Sequence, residues 1–253
     1  VLPWTSARAT TARMAKPAAQ KPKSRALRAP APQPAAAQPL VLAVPKGRVL
    51  SKLAKRFAPL GLDPNVLLAD DRTLVRDDPK TGLRFLLLKP DDVPTYVEYG
   101  AADLGVVGRD VLLEREYDLY APLDLGIGVC RMMVAEPKEL SEEDNPKHWT
   151  HIRVATKYPN ITLRHFLYKG IQVEIIKLYG SIELAPLLGL SERIVDLVQT
   201  GETLRKNGLV EVEHIMNITS KLVCNRASLK TKPRMVKTLV DSLGKAVAEA
   251  AKL

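Results

Sequence analysis

The chain has 253 residues, 46% hydrophobic, with a net charge of +10. That length holds one large domain or two small ones with a sizeable core, and no run reaches the roughly 18 apolar residues of a membrane span. Residues 1–39 hold seven basic residues and no acid, leaving 31 basic against 28 acidic residues in the body; a body of only +3 argues against a nucleic-acid-binding face and fits an enzyme that handles phosphates.

In chain order, residues 1–39 are rich in Ala, Pro, Arg and Lys without apolar periodicity, and disorder is expected there. No apolar h-region marks a secretory signal. The acid-free, Arg- and Ser/Thr-containing composition has a transit-peptide flavour; the alternative is a plain tail, with residues 1–13 a start-site artefact before Met14. Leu40–Val44 predicts a short buried strand, followed by Pro45-Lys46-Gly47-Arg48 and an amphipathic helix over Val49–Leu60 closed by Gly61. Asp70–Val75 predicts another short strand carrying Arg72. An arginine in an apolar run needs an anionic partner, since an unpaired buried charge is costly, and Asp70 or Asp71 would serve structurally. Phe85–Leu88 is a strand, and Asp92–Gly100 a helix with an Asp cap, an early Pro and a terminal Gly. Asp103–Gly108 is a strand, with Arg109-Asp110 opening a helix to about Glu116. Gly126–Ala135 is a strand, and residues 136–151 read as a polar surface loop.

A second strand–helix series follows: Ile152–Ala155, a turn at Tyr158-Pro159, a helix over Asn160–Lys169, a strand over Val173–Leu178, and a helix opened by Gly180-Ser181-Ile182-Glu183. Arg193–Val198 is a buried strand, and Thr203–Asn207 a turn of helix ended by Gly208. Leu209–Arg226 is a long extended run and Lys232–Lys252 a terminal amphipathic helix. Strands alternating with helices, twice over, predict an α/β protein of two lobes, each with a mainly parallel sheet. The two cysteines, Cys130 and Cys224, read as reduced core thiols of a cytoplasmic protein. The four histidines have no zinc-site spacing.

Ligands of such folds sit at the carboxyl ends of strands, where the informative residues fall. Thr200-Gly201-Glu202-Thr203 places two hydroxyls and a glycine where strand becomes helix. Free N–H groups and the helix dipole favour an anion there, and glycine permits close approach, so the turn is fit for a phosphate. Asp196 cannot serve a phosphate; a ribose hydroxyl or a metal would suit it. Lys46-Gly47-Arg48 forms a second anion-ready turn, or else a solvated basic loop. Arg109, Tyr158, Ser181 and Glu183 lie at further strand ends.

Taken as an ordered set, Pro45-Lys46-Gly47-Arg48, Asp92–Glu98, Ala102–Gly108, Cys130-Arg131-Met132 and Asp196–Leu209 resemble the ATP phosphoribosyltransferase family over about residues 40–230. The resemblance implies a fold of the type II periplasmic-binding kind with the active site between lobes, lobe I over 40–130 plus 220–253 and lobe II over 131–219. It implies transfer of phosphoribosyl from phosphoribosyl pyrophosphate (PRPP) to N1 of the adenine of ATP, the first step of histidine biosynthesis. Mg²⁺ accompanies the pyrophosphate, with no direct protein ligands. The residues implied for PRPP are Glu183, Asp196, Thr200, Gly201, Glu202, Thr203 and Leu204. Lys46, Arg48, Arg109, Tyr158 and Ser181 are implied for ATP and pyrophosphate, and Arg48, Arg72 and Arg131 supply catalytic positive charge. Lys89 and Arg109 depart from the family's usual Arg and Lys, which puts the roles of those two positions in doubt, because Arg forks and Lys does not.

Only 27 residues follow Arg226, which leaves no room for the regulatory domain of the family's long form. The short form implies a homodimer of catalytic chains working with a separate regulatory subunit related to histidyl-tRNA synthetase, in a hetero-octamer. A non-catalytic two-lobe anion- or nucleotide-binding protein and a nucleic-acid binder led by its basic tail are the competing readings.

Overall fold

The computed structural model describes residues 39–143 and 148–252, with the side chain of Glu143 left aside. The expectation of a disordered tail therefore lies outside the described residues. In order the elements are β1 (Leu40–Pro45), α1 (Arg48–Phe57) with a 3-10 turn, α2 (Pro64–Leu68), β2 (Val75–Asp78), β3 (Leu83–Leu88), α3 (Val93–Glu98), β4 (Leu104–Gly108), α4 (Arg109–Glu114) and β5 (Tyr120–Asp124). Then follow β6 (Cys130–Pro137), α5 (Lys138–Glu143), β7 (His151–Thr156), α6 (Pro159–Tyr168), β8 (Gln172–Lys177), α7 (Leu184–Leu187), β9 (Arg193–Val198) and α8 (Glu202–Lys206). β10 (Leu209–Ile218), β11 (Ser220–Cys224), α9 (Arg226–Thr231) and α10 (Pro233–Ala250) complete the chain.

Periodicity dictates the faces. Along β3, Leu83, Phe85 and Leu87 alternate into the core, and α10 turns Val236, Leu239, Leu243 and Ala246 inward at helical spacing. The first sheet has the order β2-β3-β1-β4-β11-β5, and apolar clusters cover both its faces. The second has the order β10-β6-β9-β7-β8, again with a cluster on each face. Both sheets are mixed, which corrects the expectation of mainly parallel ones. The strands β3-β1-β4 and β8-β7-β9 run parallel. The strands that carry the chain between sheets, β5, β6, β10 and β11, pair antiparallel. A chain that leaves one sheet and returns beside its own exit must reverse direction there.

The two passages lie side by side. The outward one, residues 125–129, turns through Gly126 and Gly128 at φ of 62° and 66°, in the left-handed region that favours glycine. The return is at Thr219. Leu125 N–H donates to Ser220 O at 3.0 Å, and Ser220 N–H to Ile127 O at 2.9 Å, tying the passages together.

Four local expectations need correction. Asp71 and Arg72 form a bend, Thr73 and Leu74 have no regular structure, and the strand begins only at Val75. The buried arginine there is Arg76, held by Val66 O, Ala69 O and Asp71; Arg72 is exposed. The segment 136–151 contains α5, whose polar Lys-Glu-Leu-Ser-Glu-Glu has too few apolar residues to show a core stripe. Its Trp149 is buried. β5 escaped notice because Pro122 interrupts it; as the last strand of its sheet it tolerates a proline. Asp92 stands at the start of α3 without making a side-chain cap.

Candidate active site

The carboxyl ends of β1, β4, β7 and β9 open on one cavity of about 630 Å³ between the two sheets. Lys46, Gly47 and Arg48 line it from the β1–α1 turn, Asp91 from the β3–α3 turn, and Gly108 and Asp110 from the β4–α4 junction. Lys157 and Tyr158 enter from β7–α6, Leu197 and Gln199 from β9–α8, and Cys130 and Thr219 from the two passages. Of the residues assigned to substrates, this cavity gathers Lys46, Arg48 and Tyr158.

The β1–α1 turn is prepared for an anion. Gly47 sits at φ 101°, no side chain caps the helix, and no acid lies in its first turn. Among the described residues neither Lys46 nor Arg48 pairs with a carboxylate, so both charges remain available to a ligand. The helix start and its dipole add to them.

Facing them is a group of acids. Asp110 is buried and accepts the Tyr158 hydroxyl at 3.0 Å. A Cβ on Gly108 would lie 2.1 Å from Asp110 Oδ1, so glycine is required for this carboxylate to fold over its own helix start. Burial raises the Asp110 carboxyl; the Tyr158 hydroxyl, the N–H groups of Asp110 and Val111 and the Lys157 ammonium oppose that rise. Burial, and then the Asp110 charge, push the Tyr158 phenol far above its usual range, so it stays a protonated donor. Asp196, on β9, is pushed up to about 6, chiefly by burial; the Leu197 N–H (2.8 Å) holds it down, and the nearby Glu183 charge raises it further. Carboxylates so disfavoured without a bound partner mark a functional site.

The remaining assigned residues lie around this centre. Gly201 opens α8 at φ 72°, and a Cβ there would meet Glu211 Oε1 at 2.8 Å and an Arg205 guanidinium nitrogen at 2.9 Å. Thr200, Glu202 and Thr203 are exposed and Leu204 is buried beneath them; Glu202 N–H donates to Thr200 Oγ1 at 3.4 Å. Arg131 is bound to Glu211 at 2.9 Å beside this turn, so its charge is already matched. Glu183 makes no cap for α7, which leaves its carboxylate for other partners. Ser181 sits at φ 50°, an uncommon conformation for a residue with a side chain. Arg109 binds the return passage, its N–H to Thr219 O at 2.9 Å and its guanidinium to Asn217 O at 3.2 Å. Arg72 lies in the exposed loop before β2, away from the cavity lining.

Sequence reasoning missed the residues that join the sheets across this cavity. Lys157 grips Asp91 at 2.8 Å. Glu114, on α4, accepts the N–H groups of Asn160 and Ile161 at 2.9 and 3.0 Å. A carboxylate from one lobe thus caps the α6 helix of the other. Position alone could have flagged Lys157, which sits beside Tyr158 at a strand end; nothing local marked Glu114. Glu114→Ala is expected to destabilise the protein by about 1–2 kcal/mol, the typical cost of a lost cap. Thermal melting checks it, with Glu114→Gln expected to lose less because an amide oxygen can still accept.

Fold and site together define a two-lobed α/β protein of the type II periplasmic-binding kind, with a cation-bearing cleft at its strand ends. The family model for ATP phosphoribosyltransferase matches residues 89–245. Among curated relatives, ATP phosphoribosyltransferase 2 of Geobacter sulfurreducens is 57% identical over 208 residues, covering 82% of this chain and 98% of that protein. ATP phosphoribosyltransferase of Sorangium cellulosum is 53% identical over 213 residues, covering 84% and 98%. The solved ATP phosphoribosyl transferase (HisG:HisZ) complex from Thermotoga maritima contains a chain 36% identical to this one, with a TM-score of 0.69, covering 83% of this chain and 99% of that one. The chain belongs to the ATP phosphoribosyltransferase family.

Proposed function

We infer that this chain transfers the phosphoribosyl group of PRPP to ring nitrogen 1 of the adenine of ATP, releasing pyrophosphate and forming phosphoribosyl-ATP, the first step of histidine biosynthesis. The observation that carries the reading is the cleft itself: unpaired Lys46 and Arg48 open on the same cavity as the end of β9 that leads to the Thr200–Leu204 turn. No feature favours a non-catalytic solute-binding protein of the same fold.

The adenine nitrogen brings its own lone pair, so the reaction needs no enzymic nucleophile. As N1 bonds to the anomeric carbon, the bond to pyrophosphate breaks and its electron pair leaves with the pyrophosphate. Charge builds on the leaving group and on an oxocarbenium-like ribose, so catalysis is mainly positioning and electrostatic stabilisation. Thr200, Gly201, Glu202, Thr203 and Leu204 hold the 5-phosphate, and Asp196 and Glu183 receive the ribose hydroxyls. Lys46 and Arg48 meet the departing pyrophosphate. Tyr158, its hydroxyl hydrogen given to Asp110, contacts the nucleotide through its ring. Arg131 and Arg72 complete the positive surround when substrate draws them in, and Arg109 and Ser181 set the edges of the nucleotide site.

Among the described residues no three potential metal ligands converge. Asp91 is held by Lys157 and Asp110 by Tyr158. Such a donor set suits a Mg²⁺ carried in on substrate phosphates better than a resident ion. Bound there, Mg²⁺ neutralises charge on the pyrophosphate.

We read the chain as a tail (1–39), lobe I (40–130 with 220–253) and lobe II (131–219), acting in the cytoplasm. No helix among the described residues is long and apolar enough to cross a membrane. The Thermotoga complex supports a HisZ-type regulatory subunit as partner, and a homodimer of catalytic chains within a hetero-octamer is the assembly we propose.

The test is direct. The chain, alone and with a regulatory subunit, is mixed with ATP, PRPP, Mg²⁺ and a pyrophosphatase, and the ultraviolet absorbance of phosphoribosyl-ATP is followed. Product formation that depends on both substrates is expected. No product in either condition would sink the reading.

A further inference from the structure

The lobes are joined by the two passages and meet again where α4 of lobe I faces the start of α6 of lobe II. This second meeting is made of polar groups. Glu114 accepts the N–H groups of Asn160 and Ile161. In return the Asn160 amide donates to Glu114 O at 3.0 Å, and the Arg164 guanidinium donates to Leu113 O. Little apolar surface backs these bonds: Ile161 is buried, but Leu113 and Leu163 stay exposed. Two cavities adjoin the contact. One, of about 560 Å³, is lined by Leu112, Leu113, Ile161 and Arg164, and the other, of about 130 Å³, by Glu114, Lys157 and Asn160. A permanent interface is packed as closely as a core. Hydrogen bonds with voids beside them are the make-up of lobes that separate.

The passages carry the features of a pivot. Gly126 and Gly128 hold positive φ, and Asp124 anchors both passages. Its carboxylate accepts the Gly126 N–H at 3.0 Å, the Thr219 hydroxyl at 2.8 Å and the Lys221 ammonium at 2.6 Å. A hinge is a few residues at element ends that absorb a change of angle. We propose that the α4–α6 contact is a latch: it holds the cleft closed between turnovers, and its release about the passages admits PRPP. The proposal rests on the transferase reading, which requires two substrates to enter a cavity between the lobes and a product larger than either to leave it. Glu114 is the positioning residue. Its carboxylate on the N–H groups at the positive end of α6 makes charge-assisted bonds. Closing the latch brings Tyr158, the residue before that helix, onto Asp110 in the cavity.

The N–H groups of Asn160 and Ile161 report the latch directly. Both lie in the first turn of α6, where no helical carbonyl is available to them, and their partner is Glu114. In the full chain, Asn160→Ala combined with Arg164→Ala removes two bonds to α4 and leaves Glu114 and the lining of the cleft intact. Amide exchange at positions 160 and 161, followed by NMR, should quicken at least about 10-fold, the effect of two hydrogen bonds on an opening equilibrium. Amides of β1 and β9 should exchange as in the parent. The rate constant for PRPP association should rise in step with the opening. Glu114→Gln, which keeps an acceptor and loses the charge, should act in the same direction and less. Unchanged exchange at 160 and 161 in the folded double variant overturns the latch. Faster exchange in β1 and β9 as well overturns it too, since the whole fold has then loosened. Faster opening with unchanged PRPP association overturns its control of entry. Absence of PRPP binding by the parent protein would strike the transferase reading instead, and the exchange result would still decide the latch.

Discussion

Gly201→Val is expected to weaken PRPP binding by about 100-fold and leave ATP binding nearly unchanged, the loss corresponding to two charge-assisted hydrogen bonds of about 1.5 kcal/mol each. The reason is local. Gly201 holds φ 72° at the start of α8, a conformation that a β-branched residue adopts only at a cost of order 1–3 kcal/mol. A side chain there would also press on Glu211 and Arg205, at 2.8 and 2.9 Å from the first added carbon. Those two side-chain ends can swing aside, but the positive φ is relieved only if the turn reopens, and the N–H groups at the start of α8 then lose their common direction. Thr203→Ala removes one hydroxyl and keeps the turn, so its effect should be in the same direction and smaller. Calorimetric titration with each substrate separates the outcomes. Equal losses for ATP and PRPP would show that the turn does not hold the donor phosphate.

The second large effect is on stability. Burial pushes Asp196 from a reference of 3.8 up to about 6. With its proton held more tightly in the folded state than in the unfolded, stability falls as pH rises from about 4 through 6 and stays reduced above that. At about 1.4 kcal/mol per pH unit, the ionised carboxylate costs the folded protein about 2 kcal/mol at neutral pH. Asp196→Asn keeps the acceptor for the Leu197 N–H and removes the charge. Its melting temperature at pH 7 should therefore exceed the parent's by roughly 4–8 °C, with the difference vanishing near pH 4. The same variant should lose PRPP affinity, because a ribose hydroxyl donates more strongly to a carboxylate than to an amide. A variant both more stable and less active marks a residue kept for its chemistry. A variant less stable than its parent at pH 7 would refute this account of Asp196.

Much of the fold was legible in the sequence because local signals were strong. Gly61, Gly100 and Gly208 all adopt positive φ where helices end, and Arg193–Val198 and Leu40–Pro45 form the expected buried strands. The mixed sheets were not legible, since strand direction is set by where the chain re-enters a sheet, which no local pattern records. The strand proposed at Asp70–Val75 failed by a few residues. Its apolar Leu74 and Val75 are exposed, and the buried arginine is the next one along, Arg76.

The site was partly legible for the same reason. Strand-end position was enough to bring Lys46, Arg48 and Tyr158 to one cavity, because such positions in an α/β fold face a common crevice; Asp196, also near a strand end, is not among the residues that line it. Asp110 was noted only as part of a turn; its role as the anchor of Tyr158 is a contact between residues 48 apart in sequence. Lys157 with Asp91, and Glu114 with the start of α6, are pairings of the same kind. Contacts between lobes leave no trace in spacing, so the residues that set the two halves of the cleft relative to each other were the ones missed.

The most direct test of the central claim is a crystal structure of the chain with PRPP bound. The account predicts the 5-phosphate on the backbone N–H groups of the Gly201–Leu204 turn, a ribose hydroxyl on Asp196, and the pyrophosphate directed toward Lys46 and Arg48. A 5-phosphate seated on Lys46-Gly47-Arg48, with the Gly201 turn empty, would contradict it.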